Sequence, residues 1–252
     1  MALIERGDAR ARPAPVINIG QRLRIGMMVP SVNFVADPQI QAMLPQGVQL
    51  HTTRMKLVGA SDEEMQAMIR DVDRCAGLLA DADPDRILFH CTAASTISVD
   101  MGPKICARIK ELTGIPATDT AEAVLAAFEA LGARKIVLVS PYPQSVNDHE
   151  VEFFSHFGIK VLREHGLQLS GGRAFAQVTP EDWYRIVMDH RDAEADAYFV
   201  SCAQVRAAEM VEALERDLDR PVVTSNTAVA WRCMRQSGVN DKVDGFGALM
   251  RQ

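Results

Sequence analysis

The chain of 252 residues is 48% hydrophobic and carries a net charge of -6, which lies within the range of globular proteins. Because no basic stripe stands out, this balance argues against nucleic acid or an anionic membrane as a partner. No apolar stretch approaches the ~20 residues that span a bilayer, and residues 1–20 are too charged for a signal peptide. We therefore expect a cytoplasmic protein with a flexible N-terminal extension over residues 1–20.

Short β-rich runs alternate with helix-like stretches along the rest of the chain. Alternation of this kind predicts an α/β fold with parallel sheets covered by helices, and the continuous apolar runs fit strands buried on both faces. The predicted strands are 23–29, 48–55, 86–91, 135–140, 159–164, 197–202 and 221–225. The clearest predicted helices are 61–82, 120–132, 146–158, 179–190 and 207–218.

Polar or reactive residues follow four of these strands. Ser31 and Asn33 follow the first, Cys91 ends the run RILFHC, Tyr142 lies in SPYPQS, and Cys202 ends AYFVSC. Ligands of open parallel sheets bind at the carboxyl ends of the strands. The sequence therefore predicts that these residues meet at one edge of the fold, where Asn33 and Tyr142 have either a ligand-binding or a simple turn role.

Five cysteines, with no two spaced two to four residues apart, match no zinc pattern. An odd number of cysteines without an export signal indicates reduced thiols. Cys75, Cys106 and Cys233 lie inside helix-like stretches, where we expect them to pack. Cys91 and Cys202 share a different context, because each ends a strand-like run and is followed by small residues.

A weak internal repeat links the contexts of these two cysteines. Each copy runs from strand to cysteine, helix, proline, short strand and a Thr/Ser-rich turn into a helix, at RILFHC to GIPATDTAEAV and at AYFVSC to RPVVTSNTAVA. We interpret residues 21–252 as one unit of two related lobes, 21–118 plus 224–252 and 119–223. The two cysteines would then approach one cleft from opposite sides.

Two facing thiols can serve as a nucleophile and a proton donor, or as an acid and a base. A following helix N-terminus would lower the pKa of each thiol. Hydroxyls and backbone N–H groups at helix starts suit a carboxylate substrate, with candidates at Thr92, Ser95, Thr118, Thr120 and 224–226.

Two further observations limit the chemistry. Strand alternation points the His90 side chain away from Cys91, so we interpret it as a core or supporting histidine. The chain has neither a GxGxxG turn nor a GxxxxGK[ST] loop, so nucleotide binding lacks support.

Over 23–239 the chain resembles the aspartate/glutamate racemase superfamily, and within it the branch of maleate cis–trans isomerases and arylmalonate decarboxylases. The resemblance rests on RIGMMVPSVNFVADPQIQAML, HTTRMKL, the strand ending in Cys91, the SPY turn, VSCAQV and RPVVTSNTAVAW, which occur in the family's order. It implies two pseudo-symmetric lobes, each with a mostly parallel sheet flanked by helices, with the active site in the cleft between them and no cofactor or metal.

The resemblance also implies roles for individual residues. Cys91 matches the nucleophile that adds to the alkene, and Cys202 matches the cysteine that protonates the intermediate. Asn33 and Tyr142 match residues that hold substrate carboxylates. We expect further substrate contacts from Ser31, Thr92, Ala203 and Gln204. The expected protein is a homo-oligomer that binds a small dicarboxylate, without nucleic acid or membrane partners.

The chain departs from the family's pattern in two places. Arylmalonate decarboxylases have glycine at the first cysteine position, so Cys91 argues against decarboxylation. The isomerases have an asparagine after the strand at 159–164, where this chain offers Gln168 and Ser170. The sequence favours cis–trans isomerisation of maleate or a similar diacid. It leaves open an amino-acid or hydroxy-acid racemase, a decarboxylase, or a binding protein without catalysis.

Overall fold

The computed structural model describes residues 17–57 and 62–252. Most of the expected N-terminal extension and the first residue of the helix expected at 61–82 lie outside the described residues. The eight strands are β1 Leu23–Pro30, β2 Val48–Met55, β3 Arg86–Phe89, β4 Ala117–Asp119, β5 Lys135–Ser140, β6 Lys160–Gly166, β7 Ala197–Val200 and β8 Val222–Thr224.

Helices connect these strands along the described chain. They are α1 Ala36–Met43, α2 Asp62–Arg70, α3 Val72–Ala80, α4 Thr92–Ser95, α5 Met101–Thr113, α6 Thr120–Leu131, α7 Gln144–His156, α8 Gly172–Gln177, α9 Pro180–Asp189, α10 Val211–Leu218 and α11 Ser225–Gln236, with 3-10 turns at Ala208–Met210 and Leu249–Arg251. No helix in this part of the chain is long and apolar enough to cross a membrane.

Most of the predicted elements are confirmed, with three local corrections. The helix expected over 207–218 begins only at Val211, after the 3-10 turn at Ala208–Met210. The single helix expected over 61–82 is divided into α2 and α3 at Asp71, whose carboxylate accepts two hydrogen bonds from Arg74. The strands expected to end on the cysteines end two residues earlier, at Phe89 and Val200. Both cysteines therefore lie in the loops beyond the strands.

The two sheets repeat one topology. The strand orders are β2-β1-β3-β4 and β6-β5-β7-β8, and every pairing is parallel. Adding four to each strand number of the first sheet gives the second, as the internal repeat in the sequence predicts. The predicted α/β fold of two lobes is confirmed, and β3 and β7, which precede the two cysteines, have equivalent central positions.

Apolar side chains from both sheets share one core. Strand β1 is buried along almost its whole length, as its continuous apolar sequence predicts. Phe128 of α6, Phe154 of α7 and Phe199 of β7 pack edge to face with ring centroids 5.7 to 5.8 Å apart. Residues from both sheets belong to this cluster, so the two repeats pack against each other over a continuous interior.

Candidate active site

A small pocket of about 60 Å³ lies where the loops after β1, β3, β5 and β7 meet. Each sheet contributes the loops that follow its two central strands, so the pocket is built from equivalent positions of the repeat. Its lining comprises Pro30, Val32, Asn33, Leu57, Met65, Cys91, Thr92, Ala93, Tyr142, Val146, Gly172, Phe175, Cys202, Ala203 and Gln204.

Seven of the eight site residues expected from the sequence line this pocket: Asn33, Cys91, Thr92, Tyr142, Cys202, Ala203 and Gln204. Ser31 does not. Its hydroxyl donates to the carbonyl of Leu57 at 3.1 Å and accepts from the Leu57 N–H at 3.2 Å. These two bonds fix the loop after β1 to the segment that follows β2, and they use the only hydrogen of the hydroxyl.

Cys91 lies at the start of α4, two residues beyond β3. Its backbone is extended, with φ of -150°, and its side chain is 7% exposed. The backbone N–H of Ala94 points to the sulfur and favours the thiolate. Desolvation outweighs this bond and raises the pKa of the Cys91 thiol to about 11.

Cys202 has a strained backbone, with φ of +101° in the region that favours glycine. Its N–H donates to the hydroxyl of Ser225 at 3.1 Å, and its sulfur accepts from the N–H of Gln204 at 3.3 Å. The phenol O–H of Tyr142 donates a hydrogen bond to the same sulfur. Burial holds the pKa of Tyr142 well above its usual range. The phenol therefore stays protonated and serves as a donor.

The expectation that helix starts lower the pKa of both thiols is wrong. Burial raises the pKa of Cys202 to about 12, despite the bonds from Tyr142 and Gln204. Helix α4 has only four residues, and Cys202 is followed by turns rather than a helix. Neither loop offers a dipole large enough to offset desolvation, so both thiols carry their protons at neutral pH.

The loops that carry the two cysteines are joined by a hydrogen-bonded bridge. Thr92 donates its hydroxyl to the hydroxyl of Ser225 at 2.9 Å, and Ser225 also accepts from the N–H of Cys202. Both hydroxyls are buried. Ser225 therefore couples the residue after the first cysteine to the backbone of the second.

Gln204 connects three segments around the pocket. Its Nε2 donates to the carbonyls of Val32 and Gly172, both at 3.0 Å, and its Oε1 accepts from the N–H of Phe34 at 3.0 Å. Gly172 permits the close approach, because a Cβ there would lie 2.6 Å from the Val32 methyl groups. The amide of Gln204 thus fixes the pocket wall where the two repeats meet.

Asn33 has the turn role that the sequence left open, and it also lines the pocket. Its Oδ1 accepts from the N–H groups of Val35 and Ala36, at 2.9 and 3.0 Å, which stabilises the turn into α1. Among the described residues, its Nδ2 donates no hydrogen bond to the protein. Asn33 is buried and lines the pocket, so this amide is available to a carboxylate.

His90 lies behind Cys91, fully buried and outside the pocket lining. Its Nε2 lies 2.8 Å from Oδ1 of Asn226, and its Nδ1 lies 3.0 Å from the hydroxyl of Thr120. Nδ2 of Asn226 donates to the side chain of Gln39 and to the carbonyl of Ala203. Because Oδ1 can only accept, the Nε2–H tautomer is required. Burial lowers the pKa of His90 to about 4, so the ring is neutral, in line with the predicted supporting role.

The positions expected to supply a second carboxylate contact do not reach the pocket. Gln168 is exposed, and its amide is bonded to the backbone of Gln144 and Gly166. Ser170 is also exposed. In their place the pocket presents apolar side chains from Leu57, Met65, Val146 and Phe175, none of which the sequence singled out.

Glu150 of α7 was also not predicted. It is fully buried, and its Oε1 accepts from the hydroxyl of Ser201, the residue before Cys202, at 2.7 Å. Its Oε2 is buried and has no hydrogen-bond partner among the residues that the structure describes. A sequence signal did exist, because Glu150 falls on the same face of the helix as Val146, Phe153 and Phe154.

The other groups proposed from the sequence lie around the site and not in it. Thr118 bonds to Gln236, and Thr224 caps α11 together with Thr227. Cys75 and Cys233 are buried within helices, while Cys106 is half-buried with its sulfur 3.6 Å from a carboxylate oxygen of Asp119. Within 17–57 and 62–252, no group of three His, Cys, Asp or Glu side chains is placed to hold a metal.

A repeated α/β fold with one buried thiol from each half at a shared pocket defines an enzyme of the Asp/Glu racemase superfamily. The family model described as arylmalonate decarboxylase matches residues 25–250, and the chain belongs to that family. The resemblance predicted from the sequence is thereby confirmed.

The similarity to named relatives covers nearly the whole chain. A maleate isomerase of Geobacillus stearothermophilus is 27% identical over 250 residues, covering 92% of this chain and 98% of its own. The structure of the Pseudomonas putida S16 maleate isomerase Iso, a cysteine-to-alanine variant with maleate, superimposes with a TM-score of 0.88 at 26% identity over 91% of this chain and 97% of that one.

A third relative was solved with a reaction intermediate. The Nocardia farcinica maleate cis–trans isomerase, as a cysteine-to-serine variant with a covalently bound succinylcysteine, has a TM-score of 0.85 at 26% identity. The match covers 91% of this chain and 98% of that one.

Proposed function

We propose that the protein is a cofactor-independent isomerase that converts maleate, or a closely similar cis diacid, to its trans isomer. The observation that carries this proposal is the pair of buried thiols at Cys91 and Cys202, which come from equivalent strand ends and line one pocket. The names of the relatives support it, because maleate isomerases match nearly the whole chain.

The substrate would be held by donors on the polar side of the pocket. Asn33 offers its Nδ2, and the loop at Cys91 offers backbone N–H groups at the start of α4. Such donors suit a carboxylate because they supply hydrogen bonds without requiring a buried cation. The remaining wall, formed by Leu57, Met65 and Phe175, would exclude water from the reacting carbons.

In the proposed reaction, the sulfur of Cys91 adds to one alkene carbon and the π electrons move toward the adjacent carboxylate. Cys202, whose sulfur accepts from Tyr142, gives its proton to the other carbon. The new single bond rotates, and the reverse steps release the trans diacid. The succinylcysteine in the Nocardia farcinica relative has the composition that this addition would produce.

The raised pKa values of both thiols favour one order of events. A free thiolate at Cys91 would be rare at neutral pH, so the sulfur would pass its proton to a carboxylate oxygen of the bound diacid as it attacks, and would recover it when the trans diacid is released. The Ala94 N–H that points to the sulfur would then stabilise the developing negative charge. Cys202, with the higher pKa, would remain protonated until it is needed as the acid.

Decarboxylation is the second candidate, and the apolar wall favours it. Leu57, Met65, Val146 and Phe175 offer a surface for an apolar substituent, which maleate lacks and a substituted malonate carries. Cys202 would protonate the carbanion left by loss of CO₂. Cys91 has no role in that reaction, and this difference separates the two candidates.

The test is proton NMR of maleate with the protein in deuterated buffer. The proposal predicts a growing fumarate signal that is absent with Cys91→Ala and retained with Cys106→Ala, whose thiol lies outside the pocket. Phenylmalonate, aspartate and glutamate form the other arms. Loss of CO₂ from phenylmalonate that persists in Cys91→Ala would identify a decarboxylase, and exchange of an α-hydrogen would identify a racemase. No reaction with any of them, together with stabilisation by a diacid, would indicate a binding protein.

A further inference from the structure

Glu150 is a buried ionisable residue next to the loop that carries Cys202. Val146 lines the pocket, and Glu150 lies one turn further along the same face of α7, close enough for its charge to act on Tyr142 and Cys202. The hydroxyl of Ser201 joins its carboxyl to the loop that carries Cys202. The carboxyl therefore lies in direct structural contact with the loop of the second thiol.

The surroundings of Glu150 do not support a negative charge. In the described part of the chain no cationic side chain pairs with it, and its Oε2 has no partner. The titratable groups that interact with its charge are Tyr142 and Cys202, both acids. The nearby carboxylate of Glu164 on β6 is held separately, by the amides of Asn147 and Gln144. An unpaired charge in this position would be costly.

We propose that Glu150 acts as a positioning residue in its neutral, protonated form, and that this absence of charge allows the pocket to bind a carboxylate substrate beside Tyr142 and Cys202. The inference rests on the proposed function, because it takes the substrate to be an anion. Burial raises the pKa of Glu150 to about 8, in agreement with a neutral carboxyl at neutral pH.

Ionisation of Glu150 would affect the site in two ways. A carboxylate that acts on Tyr142 and Cys202 would also repel a bound diacid, which raises KM. It would also raise the pKa of Cys202 further, since a nearby negative charge disfavours the thiolate. Both effects would appear as the pH rises through the pKa of Glu150, and neither requires Glu150 to touch the substrate.

The first test needs no substrate. Infrared spectroscopy of the whole protein at neutral pH should show the C=O band of a protonated carboxylic acid, which disappears above about pH 8 and is missing in Glu150→Gln. The matched control is Glu152→Gln, an exposed acid on the same helix. If the wild-type band does not depend on Glu150, the proposal is overturned.

The second test follows alkylation of Cys202 by iodoacetamide across pH, with the modified peptide identified by mass spectrometry. Removal of the ionisable carboxyl should shift the alkylation curve of Cys202 to lower pH in Glu150→Gln, and in Glu150→Leu should the glutamine variant fail to fold. The control Glu152→Gln should match the wild type. Identical curves for the wild type and both Glu150 variants would contradict the proposal.

If the protein converts a diacid, its KM and kcat for that diacid are then measured over the same pH range. Above the pKa of Glu150 the wild-type KM should rise about tenfold, which corresponds to repulsion between two charges at an intermediate dielectric, while the KM of Glu150→Gln stays level. A rise that is equal in both proteins would refute the charge effect. Because the infrared and alkylation results do not depend on maleate, failure of the proposed function is distinguishable from failure of this inference.

Discussion

Thr92 and Ser225 connect the two halves of the site through hydroxyls 2.9 Å apart, and Ser225 accepts the N–H of Cys202 at 3.1 Å. The bridge runs from the residue after one thiol to the backbone of the other. It therefore sets the relative position of Cys91 and Cys202 without occupying the pocket.

Removal of this bridge should lower the turnover of maleate, while the protein remains folded. Thr92→Val keeps the shape of the side chain and loses the hydroxyl, and Ser225→Ala leaves the buried N–H of Cys202 without its acceptor. We expect Ser225→Ala to lower the free energy of unfolding by about 1–3 kcal/mol and Thr92→Val by about 1 kcal/mol. Urea denaturation measures both values, and turnover of maleate should fall in each. Unchanged turnover in both variants would mean that the bridge has no positioning role.

Loss of the proposed acid at Cys202 should trap the covalent adduct. In Cys202→Ser the hydroxyl does not ionise near neutral pH, so once solvent has protonated the adduct no base removes that proton again, and breakdown of the adduct on Cys91 should become slow. Intact-protein mass spectrometry after incubation with maleate should show a gain of one maleic acid, located to the Cys91 peptide. Cys91→Ala should show no gain under the same conditions, and an adduct on Cys202 or Cys106 would contradict the assigned roles.

His90 should make the fold sensitive to acid. Its pKa is about 4 in the folded state, below the ordinary 6.5, so between these values the unfolded chain binds more protons. Stability should consequently fall as the pH decreases through that window, by roughly 3 kcal/mol at most. The free energy of unfolding of His90→Gln should depend less on pH between about 4 and 6.5 than that of the wild type. Parallel pH profiles would exclude a neutral, buried His90.

Glu150 should act on stability in the opposite direction. Its folded pKa of about 8 exceeds the ordinary 4.5, so the folded state retains a proton that the unfolded state releases. Stability is lost as the pH rises from about 4.5 to about 8, by roughly 5 kcal/mol at most. Glu150→Gln should therefore gain stability relative to the wild type as the pH increases through this window. Thermal unfolding at several pH values measures the difference, with Glu152→Gln as the control.

The fold was largely predictable because its strands are continuous apolar runs and its repeat places a cysteine at the same point in both halves. Cys91, Cys202 and Tyr142 could be placed at the pocket because ligands of parallel sheets bind at the carboxyl ends of the strands. The sequence could not show that the hydroxyl of Ser31 bonds to the backbone of Leu57, because Leu57 is distant in sequence.

The pKa values of the buried groups at the site could not be predicted from the sequence. The pKa of each thiol depends on how completely the folded chain excludes water, and this effect outweighs the short α4 helix. Glu150 shares a helix face with Val146, Phe153 and Phe154, but this spacing alone does not reveal that its carboxyl is fully buried.

The backbone of Cys202, at φ of +101°, has a consequence for how this gene can change. Side chains other than glycine cost about 1–3 kcal/mol in such a conformation. Replacement by serine or alanine keeps that strain, whereas glycine releases it, and a single nucleotide change converts a cysteine codon to a glycine codon. One mutation would therefore remove both the backbone strain and the thiol, at the cost of the packing that the buried Cys202 side chain provides.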